Sequence, residues 1–244
     1  MRSVVQFLPI VTTLIAIPFT YDVYRRYRQR GGPHLLWWSL GILLFGVGTF
    51  TEASVTLFSW HETTFRAWYI AGALLGGAPL AQGTVYLLLS RRAANRLTAV
   101  LLPVIAIAAV CVLLTPIDYT AVEPHRLTGR VMEWSWVRAF SPFINTYAFV
   151  FLVGGAVLSA FRYFGKSDAR HRFVGNVCIA AGALLPGIGG TATRFGHTEV
   201  LYVTELIGLS IIWIGYRTIV NGSAAVRRQP VPTLDHAPAG ESAV

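Results

Sequence analysis

The chain has 244 residues, of which 54% are hydrophobic and 13% are charged, about half the charged fraction that a soluble globular domain carries. The net charge of +9 does not indicate nucleic-acid binding, because the basic residues lie in short connectors between long apolar blocks rather than along one face of a domain. A soluble domain and a nucleic-acid-binding protein are therefore excluded, and the lipid bilayer is the expected partner of the apolar surface.

Seven apolar segments are long enough to cross a bilayer, whose core of about 30 Å requires roughly 20 helical residues. They predict an all-α, seven-transmembrane-helix bundle over residues 1–221, and the Pro-rich remainder, 222–244, is predicted to be a disordered cytoplasmic tail. The first segment is not expected to be a cleaved signal peptide, because it lacks a small-residue cleavage site. The predicted helices are 3–24, 35–58, 67–90, 97–116, 141–162, 172–194 and 200–220.

The connectors predict how these helices are oriented. Those on one side carry fourteen arginines and lysines, and those on the other side carry six, which acidic residues offset. By the positive-inside rule the richer side faces the cytoplasm, so we expect the N-terminus outside and the C-terminus inside. Lys166 is the single lysine, a bias typical of GC-rich genomes, and we expect a multi-pass protein of a bacterial plasma (inner) membrane. The richer side comprises Arg25, Arg26, Arg28, Arg30, Arg91, Arg92, Arg96, Arg162, Lys166, Arg170, Arg172, Arg217, Arg227 and Arg228.

Charged residues inside apolar segments are the strongest indicators of function, because each must find a partner within the lipid. Glu52 lies about two turns below the outer end of the second segment, Glu205 lies at a similar depth in the seventh, and Arg194 ends the sixth. We interpret Glu52, Arg194 and Glu205 as a polar pocket, open to the exterior, that binds a small ligand or ion. The alternatives are an ion pair that fastens three helices together, or side chains that extend to the membrane surface.

Three histidines are candidates for a metal site. His61, His125 and His197 all fall on the predicted outer side, each near a glutamate. Imidazoles and a carboxylate are suitable ligands for zinc or copper. Because the three come from separate loops without close ligand spacing, the alternative is that they are interfacial or solvated side chains.

The sequence contains no motif of a known enzyme class. A phosphate-binding glycine loop, a Gly-x-Ser-x-Gly elbow and a His-Glu-x-x-His pair are all missing. No lysine occurs in the seventh segment, which excludes a retinal Schiff base. We therefore expect a non-enzymatic protein and assign no cofactor.

Two stretches share a pattern of aromatic, glycine and proline positions. The first comprises Trp38 through Gly48, Glu52, Phe65, Trp68-Tyr69, Gly72 and Pro79; the second is Ala183-Leu184-Leu185-Pro186, followed by a short turn and a final helix. This pattern resembles the seven-helix membrane-sensor region at the N-terminus of certain bacterial histidine kinases. The resemblance implies an extracytoplasmic sensor bundle that feeds a cytoplasmic output. No kinase follows Arg228, so we expect a membrane or cytoplasmic signalling partner to supply that output.

Three functions follow as hypotheses. The first is a sensor or accessory subunit that binds a small molecule near Glu52, Arg194 and Glu205. The second is a small-solute transporter, favoured by the prolines Pro79 and Pro186 inside predicted helices. The third is a metal-dependent membrane enzyme that uses His61, His125 and His197.

Overall fold

The computed structural model describes residues 4–228, which form seven long helices and contain no β-strand. All seven are long and apolar enough to span a membrane, so the prediction of an all-α chain with seven membrane-length helices is confirmed for these residues. Residues 229–244 of the predicted tail lie outside the described part. The helices are α1 (Val4–Arg30), α2 (Pro33–Phe58), α3 (Glu62–Leu88), α4 (Arg91–Leu114), α5 (Ser135–Tyr163), α6 (Ser167–Arg194) and α7 (Thr198–Arg228).

Successive helices run in opposite directions, so the connections gather at two ends of the bundle. The long-loop end carries residues 59–61, 115–134 and 195–197, and the short-loop end carries 31–32, 89–90 and 164–166. Contacts of the 115–134 connection join the long-loop end: the Trp60 amide donates to the Pro124 carbonyl at 2.8 Å, and Arg126 donates to the Thr193 carbonyl of α6 at 3.3 Å.

Helix α1 packs against α2 and α7. Phe19 stacks on Trp213 with ring centroids 5.6 Å apart. Beside them, Asp22 forms an ion pair with Arg217 at 2.7 Å and accepts a hydrogen bond from Trp213 Nε1 at 3.1 Å. A carboxylate within an apolar helix is tolerated here because a cation and an indole N–H both satisfy it. These contacts hold the first and last helices together.

The most extensive helix contact joins α6 and α7, where glycines recur at intervals of seven. A Cβ atom added to Gly182 would lie 2.6 Å from the Gly208 carbonyl oxygen, and one added to Gly208 would lie 2.6 Å from the Gly182 carbonyl oxygen. Side chains at these positions would push the two backbones apart. The glycines therefore permit the close approach that membrane helices use in place of hydrophobic association. The series are Gly175, Gly182 and Gly189 on α6, and Gly208, Gly215 and Gly222 on α7.

Helices α3, α4 and α5 are joined by a buried polar network. The fully buried Gln82 of α3 donates to Thr98 of α4 at 2.7 Å and accepts from the Tyr147 hydroxyl of α5. Tyr86 donates to Asn95 at 2.8 Å beside it. Interhelical hydrogen bonds of this kind are worth about 0.6 kcal/mol each on average in membranes, and these fix the relative positions of three helices.

The 115–134 connection packs onto the helix ends. Its residues Ile117, Leu127, Val131 and Met132 are buried in a core shared with α3, α4 and α5. Arg66 of α3 pairs with Glu62 at 2.7 Å, and it also donates to the carbonyls of Val112 and Thr115. The last carbonyls of α4 have no partner within their own helix, so Arg66 caps that helix while it anchors the connection.

Candidate functional site

A cavity of about 720 Å³ lies between α2 and α3 on one side and α5, α6 and α7 on the others. Along α7 its wall extends from Leu201 to Ile212, which spans about 16 Å at 1.5 Å per residue. Arg194 at the end of α6 also lines it. The cavity therefore runs from the long-loop end towards the middle of the bundle, and its volume is that of a site for a small molecule.

An interruption in α3 shapes one wall of the cavity. The helix has α geometry over Glu62–Trp68, π geometry over Tyr69–Leu74, and α geometry again over Ala78–Leu88. Residues Leu75, Gly76 and Gly77 separate the halves. Because proline lacks an amide hydrogen, Pro79 fits the first turn of the second half, where no intrahelical partner is needed. Because Gly76 and Gly77 have no side chains, they leave space for the cavity.

The carbonyl that this interruption releases has partners on α5. Ser141 donates to the Ala73 carbonyl at 3.1 Å, and Asn145 donates to the same oxygen at 3.0 Å. A broken helix is tolerated at membrane depth only where other groups satisfy its backbone. Ser141 and Asn145 also line the cavity, so they hold α3 open and add polarity to its wall.

Glu52 is the most deeply buried charged side chain of the cavity wall. It is 4% exposed, and its Oε1 accepts a hydrogen bond from Trp68 Nε1 at 2.9 Å. Gly48 and Gly72 bring the two helices together at this level, since a Cβ added to Gly48 would lie 2.9 Å from the Gly72 Cα. This contact between α2 and α3 places the indole against the carboxyl group.

Glu205 approaches Glu52 from the opposite wall. The two carboxyl groups interact directly. The Oε2 atom of each is buried and has no hydrogen-bond partner in the residues described, apart from the neighbouring carboxyl group. The helices α2 and α7 thus present two acids to each other inside a largely apolar cavity.

Arg194 is placed differently from its two predicted companions. It lines the same cavity, but its side chain is exposed and forms no ion pair with Glu52 or Glu205 within residues 4–228. As the last residue of α6, Arg194 lies at the long-loop end of that helix. The structure therefore brings Glu52 and Glu205 together and places Arg194 at the mouth.

The three histidines do not come together. His61 precedes α3, His197 is exposed between α6 and α7, and His125 lies 3.4 Å from the Val55 carbonyl through Nδ1. In the part of the chain that the structure describes, no three His, Cys, Asp or Glu side chains form a group that could hold a metal ion. The predicted metal site is thus not assembled from these residues.

No protein-family model matches the sequence, and no curated protein matches it significantly. The resemblance to membrane-sensor regions of histidine kinases therefore stays a prediction. Functional inference depends on the geometry of the cavity.

Several residues of the site are not evident from the sequence. Trp68, Ser141 and Asn145 each contribute a hydrogen-bond donor to the wall, but tryptophan, serine and asparagine are ordinary in membrane helices. The run Gly76-Gly77-Ala78-Pro79 is the one signal that indicates an interruption. A ligand that fills this site meets apolar surface over most of its area, the acid pair between α2 and α7, and a guanidinium at the mouth.

Proposed function

We propose that the chain is a non-enzymatic membrane protein, a sensor or accessory subunit, that binds a small molecule in the cavity between α2, α3, α5, α6 and α7. The observation that supports this most is the pair of buried carboxyl groups of Glu52 and Glu205, which face the cavity without a cation beside them. Uncompensated acids are costly at membrane depth and are retained chiefly where they serve a function.

We place this protein in a bacterial plasma membrane with the N-terminus outside. The arginine distribution supports this orientation, because the short-loop end carries most of the basic residues. In that orientation the cavity mouth at Arg194 faces the exterior. A ligand then reaches the site from outside the cell.

Binding of the ligand would change the conformation of two helices that contain irregular segments. The π segments Tyr69–Leu74 and Phe149–Val153 both contribute to the wall, and such segments are weak points at which a helix changes register or direction. A ligand that contacts α3 and α5 more favourably in one arrangement shifts the population towards it. A membrane or cytoplasmic partner would read that shift.

A substitution that fills the cavity tests the proposal. Gly187 lines the cavity and Gly154 does not, and neither has a neighbour within 4 Å of an added Cβ. A library of small molecules is screened for thermal stabilisation of the purified protein. The compounds found should lose their effect on the Gly187→Trp variant and keep it on Gly154→Trp. Equal stabilisation of both variants would contradict binding in the cavity.

A small-solute transporter is the second candidate. The interruption of α3 at residues 75–77 favours it, because broken helices form the central sites of many transporters. Uptake into liposomes separates the two functions. Purified protein that carries a stabilising compound across the membrane is a transporter, whereas a sensor binds the compound without moving it.

A further inference from the structure

The acid pair indicates the chemical class of the ligand, an inference that depends on the proposed function. Oε1 of Glu52 is occupied by the Trp68 indole, while Oε2 of Glu52 and Oε2 of Glu205 remain available. These oxygens accept hydrogen bonds, and they have no N–H donor within residues 4–228. Two carboxylates in contact in a site of low polarity require a positive charge between them, supplied by a proton or by a bound cation.

The protein does not supply that charge from its own described side chains. Among the described residues that line the cavity, Arg194 is the only basic one, and it forms no ion pair with either acid. Ion pairs form elsewhere among the described side chains, at Glu62, Glu123 and Asp22. A proton shared between the two acids or a cation from outside therefore supplies the charge, and a bound cation takes the place of the shared proton.

The lining distinguishes an organic cation from a metal ion. Calcium requires six to eight oxygen ligands and magnesium a near-octahedral set, whereas the described residues bring no third His, Cys, Asp or Glu to this pair. The remaining wall is rich in apolar and aromatic groups, among them Phe45, Phe149 and Leu209. Such a wall buries the hydrocarbon part of a ligand, and the Trp68 ring face attracts a cation.

We infer that the ligand is an ammonium ion on an apolar body, whose N–H groups donate to Oε2 of Glu52 and Oε2 of Glu205. A primary ammonium has three donors and suits two acceptors on opposite walls. Its hydrocarbon part extends along α5 and α6. The exposed guanidinium of Arg194 at the mouth repels cations. A cation without an apolar body is therefore disfavoured, because it makes no contact with the apolar wall that would offset this repulsion.

The test compares three probes of similar size on the purified full chain at neutral pH. They are 2-phenylethylammonium, its neutral analogue 2-phenylethanol and the anion phenylacetate, and the measurement is the dissociation constant by titration calorimetry. The ammonium probe should bind at least about tenfold more tightly than the alcohol, as a charge-assisted hydrogen bond predicts. Equal affinities of the three probes would overturn the inference.

Substitutions then assign the binding to the acid pair. Glu52→Gln keeps an oxygen that accepts from Trp68 and removes the charge, and Glu205→Gln removes the second charge. Each substitution should weaken binding of the ammonium probe at least about tenfold and leave the affinity for the alcohol unchanged. Glu199→Gln is the matched control, because Glu199 is exposed in the first turn of α7 and does not line the cavity. Unchanged ammonium binding in both the Glu52→Gln and the Glu205→Gln variants would refute the assignment.

The same titrations separate this inference from the proposed function. Suppose that the alcohol or phenylacetate binds as tightly as the ammonium probe, and that this binding disappears in Gly187→Trp. The cavity is then still a ligand site, but the inference that its ligand is a cation is refuted. Sodium or calcium ions that displace the ammonium probe from the wild-type protein would indicate an inorganic cation instead. No binding of any probe would overturn the inference.

Discussion

Trp68 on α3 donates a hydrogen bond to Glu52 on α2 across 2.9 Å, and this bond orients a carboxyl group that is 4% exposed. Glu205 on α7 interacts with the same carboxyl group. Three helices thereby define the geometry of the acid pair on which the proposed ligand site depends.

Removal of the indole donor should destabilise the protein. Trp68→Phe leaves a buried carboxyl oxygen without its donor, which costs about 1–3 kcal/mol in addition to the lost packing. Trp60→Phe is the matched control, since Trp60 Nε1 is buried without a hydrogen-bond partner in the described residues. Denaturation in mixed micelles measures the free energy of unfolding of both variants. A loss no greater for Trp68→Phe than for Trp60→Phe would show that the bond to Glu52 contributes nothing.

The glycine contact between α6 and α7 predicts a steric effect. In Gly182→Ala the new methyl group meets the Gly208 carbonyl oxygen at 2.6 Å, and relief of such overpacking costs about 1–3 kcal/mol. Gly154→Ala, which has no neighbour within 4 Å, should be neutral or slightly stabilising, because alanine is the better helix former. Thermal unfolding of the two variants checks this expectation, and equal midpoints would contradict the close approach.

The polar network of Gln82 predicts non-additive substitutions. Gln82→Met leaves the Tyr147 hydroxyl without its acceptor and should destabilise the protein by about 1–3 kcal/mol. Combining it with Tyr147→Phe removes both partners and should restore part of that loss. A double-mutant cycle measures the coupling, and simple additivity of the two changes would mean that the hydroxyl and the amide do not interact.

Arg66 should control the order of the 115–134 connection. Arg66→Met removes the ion pair with Glu62 and uncaps the carbonyls at the end of α4, so amide hydrogen exchange in residues 115–134 should accelerate. Arg130→Met, an exposed change in the same connection, should have little effect. If both variants exchange at the wild-type rate, Arg66 is not the anchor.

The seven helices could be predicted from the sequence because their signal is local. Long apolar runs with basic connectors need no knowledge of packing, and Glu52 is conspicuous because it interrupts such a run. Its donor Trp68 was not predictable, since the Gly48–Gly72 approach that joins them is a contact between helices. Arg194 was predicted at the end of the sixth helix beside the two acids; it lines the same cavity, but it forms no ion pair with either of them within the described residues.

The interruption of α3 shows the same limit. Pro79 predicts a kink, whereas the residues outside helical geometry are 75–77, ahead of the proline. A proline fits the first turn of a helix and disfavours helical geometry in the residues before it. The length of the interruption in α3 also depends on Ser141 and Asn145 of α5, which donate hydrogen bonds to the released carbonyl of Ala73. Partners on another helix leave no local signal.

The proposed ligand site is a cavity that opens to water at the exterior and holds a small molecule. Labelling of a single cysteine tests it most directly, in a background in which the free cysteines Cys111 and Cys178 are replaced by alanine. Gly190→Cys places a thiol in the cavity, and Val110→Cys places one on the exposed apolar surface of α4. A membrane-impermeant maleimide requires a hydrated thiolate.

Maleimide added to intact cells should label the Gly190→Cys protein and spare the Val110→Cys protein, and 2-phenylethylammonium should slow the reaction. Labelling of Gly190→Cys that is no faster than that of Val110→Cys, or that appears only when the cytoplasmic face is exposed, would contradict an outward-facing ligand site.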